Sequence, residues 1–232
     1  LNIMPEIQAR YPTVSASYEG QNREAFKLIN SLSAAGIPIL ILIYITIAFT
    51  FRSFSQPVLL FFLMPVSLIG VAWGHWVHGF PVNILSLLGV IALIGIMVND
   101  GLVLIGKFNN NLKQNFSFNE GLINAGKSRF RAIFLTTATT VAGLTPLLLE
   151  KSRQAQWLKP MAISVSYGIA FATLLTLILL PIFISLNNDI KVIFKWLISG
   201  NYPSKEIVER AIIEKKEEQK MDEMNNSKTR TQ

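Results

Sequence analysis

The chain has no cysteine among its 232 residues, which excludes disulfides, thiol catalysis and cysteine-type zinc sites. Charge is also scarce: 15% of residues are Asp, Glu, Lys or Arg against 51% hydrophobic, and the mean hydropathy is +0.43. A soluble chain needs more charge than that to wet its surface, so the composition points to a membrane protein. There is no G-x-x-x-x-G-K-S/T loop, no H-E-x-x-H and no G-x-S-x-G. Any work done by this chain is therefore expected to draw on a gradient or a partner rather than on ATP. The net charge of +7 does not read as nucleic-acid binding, because the basic residues lie between apolar blocks and in a polar tail rather than in a patch with interleaved aromatics. No signal-peptide pattern precedes the polar start at Leu1, and the chain is read as a piece of something longer.

What is present is a series of five apolar runs at 34–51, 57–77, 84–106, 132–149 and 160–186. Each approaches or exceeds the roughly 20 residues that cross a hydrocarbon core, and none alternates as a barrel strand would. The expected fold is an all-α membrane bundle of five transmembrane helices. Arg52, Lys107, Lys113, Lys127, Arg129, Arg131, Lys191 and Lys195 gather at one set of helix ends, which is expected to face the cytoplasm. With an odd number of spans, the start then lies outside and the tail inside.

Residues 1–33 read as a separate outer segment. Val14, Ala16 and Tyr18 alternate with Thr13, Ser15 and Ser17 as a short strand, and a helix from Gln21 runs on into the membrane. Gly36 and Pro38 are hinge candidates on that helix, since Pro38 removes a backbone donor and crowds the preceding turn. Ser117 and Glu120 form a capping-box pattern that predicts a cytoplasmic surface helix over about 118–125, stopping at Gly126. In 187–232, Ile190, Ile193, Phe194, Leu197 and Ile198 with Lys191 and Lys195 predict an interfacial helix. Ser204 is expected to cap a short helix, with Glu206 and Arg210 paired on it, and the end from Gln219 is expected to be disordered.

The third span carries Asn99, Asp100 and Gly101 in its interior. A turn there would leave a short span and open backbone in lipid, so a continuous helix is the expectation. An Asp in such a helix costs at least ~2.5 kcal/mol on insertion scales and ordinarily marks an ion or proton path. Arg129, Thr136 and Gly143 recur every seven residues with Thr140 beside them, a small polar face expected to approach the third helix. A carboxyl set between burial and a cation can be tuned to load and unload protons. Asp100, Asn99, Arg129, Thr136 and Thr140 are thus the proton-relay candidates. The plainer reading makes Asp100 and Asn99 interhelical glue, the Thr cluster ordinary packing and Arg129 a charge anchor at the membrane surface. His75 and His78 stand beside Trp73 and Trp76 where an aromatic belt belongs, and anchoring outweighs metal binding there.

Several of these stretches, in order, carry a resemblance. Phe51-Arg-Ser-Phe-Ser-Gln-Pro57, Gly95-Ile-Met-Val-Asn-Asp-Gly-Leu-Val-Leu, the run Arg129 to Glu150 and Gln154-Ala-Gln-Trp-Leu-Lys-Pro-Met-Ala-Ile-Ser164 resemble the carboxy-terminal transmembrane half of resistance-nodulation-division (RND) exporters, in the hydrophobe and multidrug efflux branch. The resemblance runs from about Thr13 to Leu186. It implies the last five helices of a twelve-helix pump, preceded by a small α/β remnant of a periplasmic porter domain, with the amino-terminal half of the pump missing. It further implies a homotrimer in the bacterial inner membrane, with a periplasmic adaptor and an outer-membrane channel as partners. It implies export of small hydrophobic or amphiphilic compounds against inward proton flow, with no cofactor beyond the proton gradient. Arg129 and Thr136 look like relay residues of the family. Asn99 falls where the best-known drug pumps have a Lys, with Asp100 beside it. Competing readings are a non-transporting membrane scaffold or receptor, and a protein-export or lipid transporter of the same superfamily.

Overall fold

The structure, a computed structural model, describes residues 21–200 and 202–230. The strand expected at 14–18, and with it the α/β remnant, lies outside the described residues. Among those described, all regular structure is helical: α1 Gln21–Phe51, α2 Ser55–His78, α3 Ile84–Lys113, α4 Phe118–Leu149, α5 Arg153–Ser199 and α6 Arg210–Arg230. The chain divides into two compact units, 1–42 and 43–232. α1 is continuous through Gly36 and Pro38. Five helices are long and apolar enough to cross a membrane, namely α1 over Ala34–Phe51 and α2 to α5.

The helix ends are set by local chemistry. α1 stops at Arg52, which takes φ 47° while Ser53 N–H reaches back to the Ala48 carbonyl at 3.1 Å. That is a left-handed cap in the place glycine normally fills. α2 ends the same way on Gly79, φ 66°, with Phe80 N–H donating to His75 O at 3.2 Å. α3 ends on Asn115, φ 67°, the non-glycine residue that best tolerates this region. α3 begins with a reciprocal capping box: Ser86 N–H donates to Asn83 Oδ1 at 3.0 Å and Asn83 N–H to Ser86 Oγ at 3.1 Å. Asn83→Ala should fray this end and lower stability by about 1 kcal/mol. Hydrogen exchange at residues 84–87 reads it, and unchanged protection there refutes the cap's role.

Three expected boundaries differ. The surface helix at 118–125 is not separate, for α4 runs unbroken from Phe118 through Gly126 to Leu149. Nothing at Gly126 forces a stop, as no proline follows and its φ is not among the positive values. The apolar face of that first stretch does not lie on lipid either: Phe118, Leu122 and Ala125 are buried, and the Phe118 ring meets Phe108 edge-on at 5.4 Å. At its cap, Ser117 accepts from Glu120 N–H at 3.4 Å as expected, but the Ser117 hydroxyl, not the backbone, engages the Glu120 carboxylate at 2.8 Å. The interfacial helix at 190–198 is likewise the continuation of α5, 47 residues in all. Finally, Ser204 opens a turn rather than a helix. α6 starts at Arg210 and holds helical form to Arg230, where disorder was expected.

α5 is the organising element, packed against α2, α3 and α4. Small residues let the backbones approach. A Cβ at Gly70 of α2 would stand 2.5 Å from Phe171 Cβ and 2.7 Å from Tyr167 O, and one at Gly89 of α3 would stand 2.7 Å from Met161 O. Leu60, Leu63, Leu93, Leu104, Ile105 and Leu180 fill the centre. At one set of ends Gln56 and Asn109 exchange amide hydrogen bonds at 2.9 and 3.1 Å, joining α2 to α3.

Candidate functional site

Asp100 sits mid-helix on α3, 8% exposed, between buried Met97, Val98, Gly101 and Leu104. The helix is continuous there, so the polar triplet is not a turn. Gly101 gives the neighbouring helices room: a Cβ on it would overlap Leu60 of α2 and come within 3.7 Å of Leu180 of α5. Among the described residues Asp100 makes no hydrogen bond or ion pair. Its side chain is largely buried among apolar neighbours on α3, but the carboxyl oxygens are not among the fully buried unpaired atoms, so water or further protein can reach them to support a charge.

One residue earlier, Asn99 is rotated by about 100° and faces out of the bundle, exposed. The two are therefore not a joint pair facing one neighbour. On α4, Arg129 is half-buried, and its Nε is enclosed with no partner among the described residues. No ion pair joins Arg129 to Asp100.

The small polar face of α4 is turned differently from the expectation. Thr136 is exposed and its hydroxyl donates to Ala132 O at 2.8 Å, and Thr140 donates to Thr136 O at 2.8 Å. Neither reaches α3. The inward residue is Thr137, which shares a short hydrogen bond with Thr173 of α5, with Ile133 buried one turn earlier. The reason is one of phase. Spacing by seven holds for 130, 137 and 144 as well as for 129, 136 and 143, and the sequence alone does not say which row faces in. In consequence 11% of the apolar window of α4 is buried, against 44% for α3. Asn99, Thr136 and Gly143 are all left on outward faces.

The histidines are structural. His75 is 4% exposed, and its Nδ1 lies 3.0 Å from Phe80 O, which can only accept. Nδ1 is therefore the donor in that contact, and Nε2 lies 3.0 Å from the Ser164 hydroxyl. His78 Nε2 pairs with Tyr167 OH at 3.1 Å. Among the described residues no three metal-ligating side chains come together. Trp73 and Trp76 pack edge-on at 5.8 Å and are exposed, as belt residues are.

Two elements of the polar interior were missed from sequence: the Thr137–Thr173 bond and the buried Ser166, whose hydroxyl has no partner among the described residues. The available signal was the run of Ser and Thr at 164, 166, 173 and 176 along α5, which reads as close helix packing.

Comparison with known proteins adds an independent line. Residues 2–187 match the model of the AcrB/AcrD/AcrF family. The chain is 29% identical over 170 residues to the swarming motility protein SwrC of Bacillus subtilis, covering 73% of this chain and 16% of that protein. It is 27% identical to the cobalt-zinc-cadmium resistance protein CzcA of Cupriavidus metallidurans, covering 62% and 14%. With the multidrug resistance protein MdtC of Proteus mirabilis it shares 25% identity, covering 73% and 17%. The chain thus spans about one sixth of the length of these relatives. A crystal structure of a heavy metal efflux pump shares the fold with TM-score 0.62 at 23% identity, over 75% of this chain and 18% of that one.

Proposed function

The chain belongs to the AcrB/AcrD/AcrF family, and on that premise we propose that it forms part of a proton-driven RND-type secondary transporter in which Asp100 takes part in proton coupling. The observation that carries this is Asp100, 8% exposed overall within a lipid-spanning helix and without a hydrogen-bond or ion-pair partner among the described residues. A charge so placed is costly, and a group that alternates between charged and neutral is the economical use of it. Arg129 is the cation most available to it from α4, because its Nε is enclosed and unpaired. Thr136, Gly143 and Asn99 lie on outward faces, with the half-buried Thr140 at their edge, small and polar enough to receive further membrane helices of the intact transporter. Their relay role is exercised at that junction. Gly36 and Pro38 are the hinge of α1, where the missing Pro38 N–H loosens the ladder.

Arg52, Lys113 and Lys191 all gather at one set of helix ends, which supports a multi-pass protein with that side and its tail in the cytoplasm of a bacterial inner membrane. A homotrimer working with an adaptor and an outer channel is the assembly we infer from the family. The substrates are small hydrophobic or amphiphilic compounds, in keeping with the name of MdtC. Divalent cations are the second reading, favoured by the resemblance to CzcA.

The test uses membrane vesicles holding the intact transporter and an imposed pH difference. Export of an amphiphilic dye should follow the sign of the gradient and stop when a protonophore collapses it. Zinc movement in place of dye movement would transfer the reading to cations. Export of either that ignores the gradient would overturn proton coupling.

A further inference from the structure

The family match ends at residue 187, and the segment after it is firmly engaged. Three carboxylates attach it, Glu206 to the start of α4, Glu209 to the body of α5 and Glu214 to the end of α3 and the α1–α2 turn. Glu206 accepts from the Phe118 N–H at 3.0 Å, satisfying one of the open donors in the first turn of α4. Glu209, 2% exposed, takes Asn188 Nδ2 at 2.7 Å and Lys191 Nζ at 3.2 Å on α5. Glu214 bridges Lys113 of α3 at 2.8 Å and Arg52 of the α1–α2 turn at 3.0 Å. Lys215 adds a donor, reaching Lys113 O and Asn115 Oδ1, both at 2.7 Å.

Apolar contact accompanies this but is partial: Ala211 is 5% exposed, Ile212 packs on the core, Val208 and Ile213 are half-buried, and Ile207 remains open at 41%. Beyond Glu218 the side chains described on α6 are exposed. The part of the attachment that salt can reach is its ion pairs at Arg52 and Lys113, whereas the Glu209 pair is shielded.

We propose that residues 204–218 are a charge-held strap, pivoted on the buried Glu209 anchor to α5, that ties the ends of α3 and α4 to the α1–α2 turn and swings free of Lys113 and Arg52 when those ion pairs are screened or removed. While it is fastened, α3 cannot slide against α4 and α5 at this end without breaking an anchor. The strap therefore restrains the helix that carries Asp100, whatever that residue does. Hydrogen bonding from Lys113, with the charges of Arg52 and Arg210 adding, holds the Glu214 carboxyl below the usual glutamate range, and the Phe118 N–H does the same for Glu206. Groups depressed in this way support attachment above the ordinary glutamate value and lose it as pH falls below about 4.

The absence of native cysteine lets two reporters be introduced cleanly. Nitroxides on Gln114→Cys, at the end of α3, and Gln219→Cys, just past the anchors, report the distance across the strap in the protein reconstituted in bilayers. A single narrow distribution is expected at low salt. About 1 M salt should raise the undocked-to-docked ratio at least about tenfold, and so should the double variant Glu209→Gln, Glu214→Gln. The salt arm needs no variant, so a folding defect in the double variant does not blunt the test. A distribution that stays narrow in high salt, or is already broad at low salt, overturns the proposal.

Discussion

Asp100→Asn is expected to abolish proton-driven export by the intact transporter while leaving the bundle folded. Asn keeps the size and shape of the side chain, exchanges one acceptor oxygen for an NH2 donor, and removes both the charge and the ability to exchange a proton. The site is enclosed, with Leu104 at 0% and Met97 at 5% exposure beside it, so an isosteric change disturbs little packing. An Asp at the centre of a membrane helix costs roughly 2.5–3.5 kcal/mol on insertion scales, and Asn relieves part of that cost. Thermal resistance in detergent should therefore hold or rise as export falls to the background of empty vesicles. Loss of export together with loss of folding would assign Asp100 to packing, and unchanged export would remove it from coupling altogether.

Gly70→Val should have the largest effect on stability, about 3 kcal/mol or more. The added Cβ would meet the Phe171 Cβ at 2.5 Å and the Tyr167 carbonyl oxygen at 2.7 Å. A carbonyl cannot swing aside as a side-chain tip can, so α2 must back away from α5 and loosen the most extensive seam of the bundle. Gly143→Ala is the internal control. A Cβ there meets nothing within 4 Å, and in this chain the variant should be no less stable, gaining about 0.5–1 kcal/mol from helix propensity. Unfolding temperatures of the two variants in one detergent make the comparison. Equal values would mean that α2 and α5 do not seat on Gly70.

The five spans were legible because apolar length alone specifies a membrane helix, and Asp100 was legible as a buried acid because continuity of α3 was the only arrangement lipid permits. The facing of α4 was not. Thr136 and Thr137 differ by one position, the same spacing holds for both rows, and only the seat of Thr137 against Thr173 decides between them. Helix ends failed for a different reason. Gly126 looked like a stop, yet a glycine ends a helix only where the chain turns left-handed, and the positive-φ glycines described are Gly79 and Gly200. α6 was legible only in part. A short helix was expected from Ser204 and disorder from Gln219, because the partners that fix Glu214, namely Arg52 and Lys113, are distant in the sequence.

The length of α5 has a mechanical meaning. Its 47 residues make a rod of about 70 Å, long enough to reach well past both faces of a bilayer. A tilt of ~5° about its middle swings each tip by roughly 3 Å, as far as a hydrogen bond is long. Leverage of that size, applied near Ser152, would be felt at Asn188 and Lys191, and Pro160 and Pro181 mark where the rod can give instead of transmitting the push.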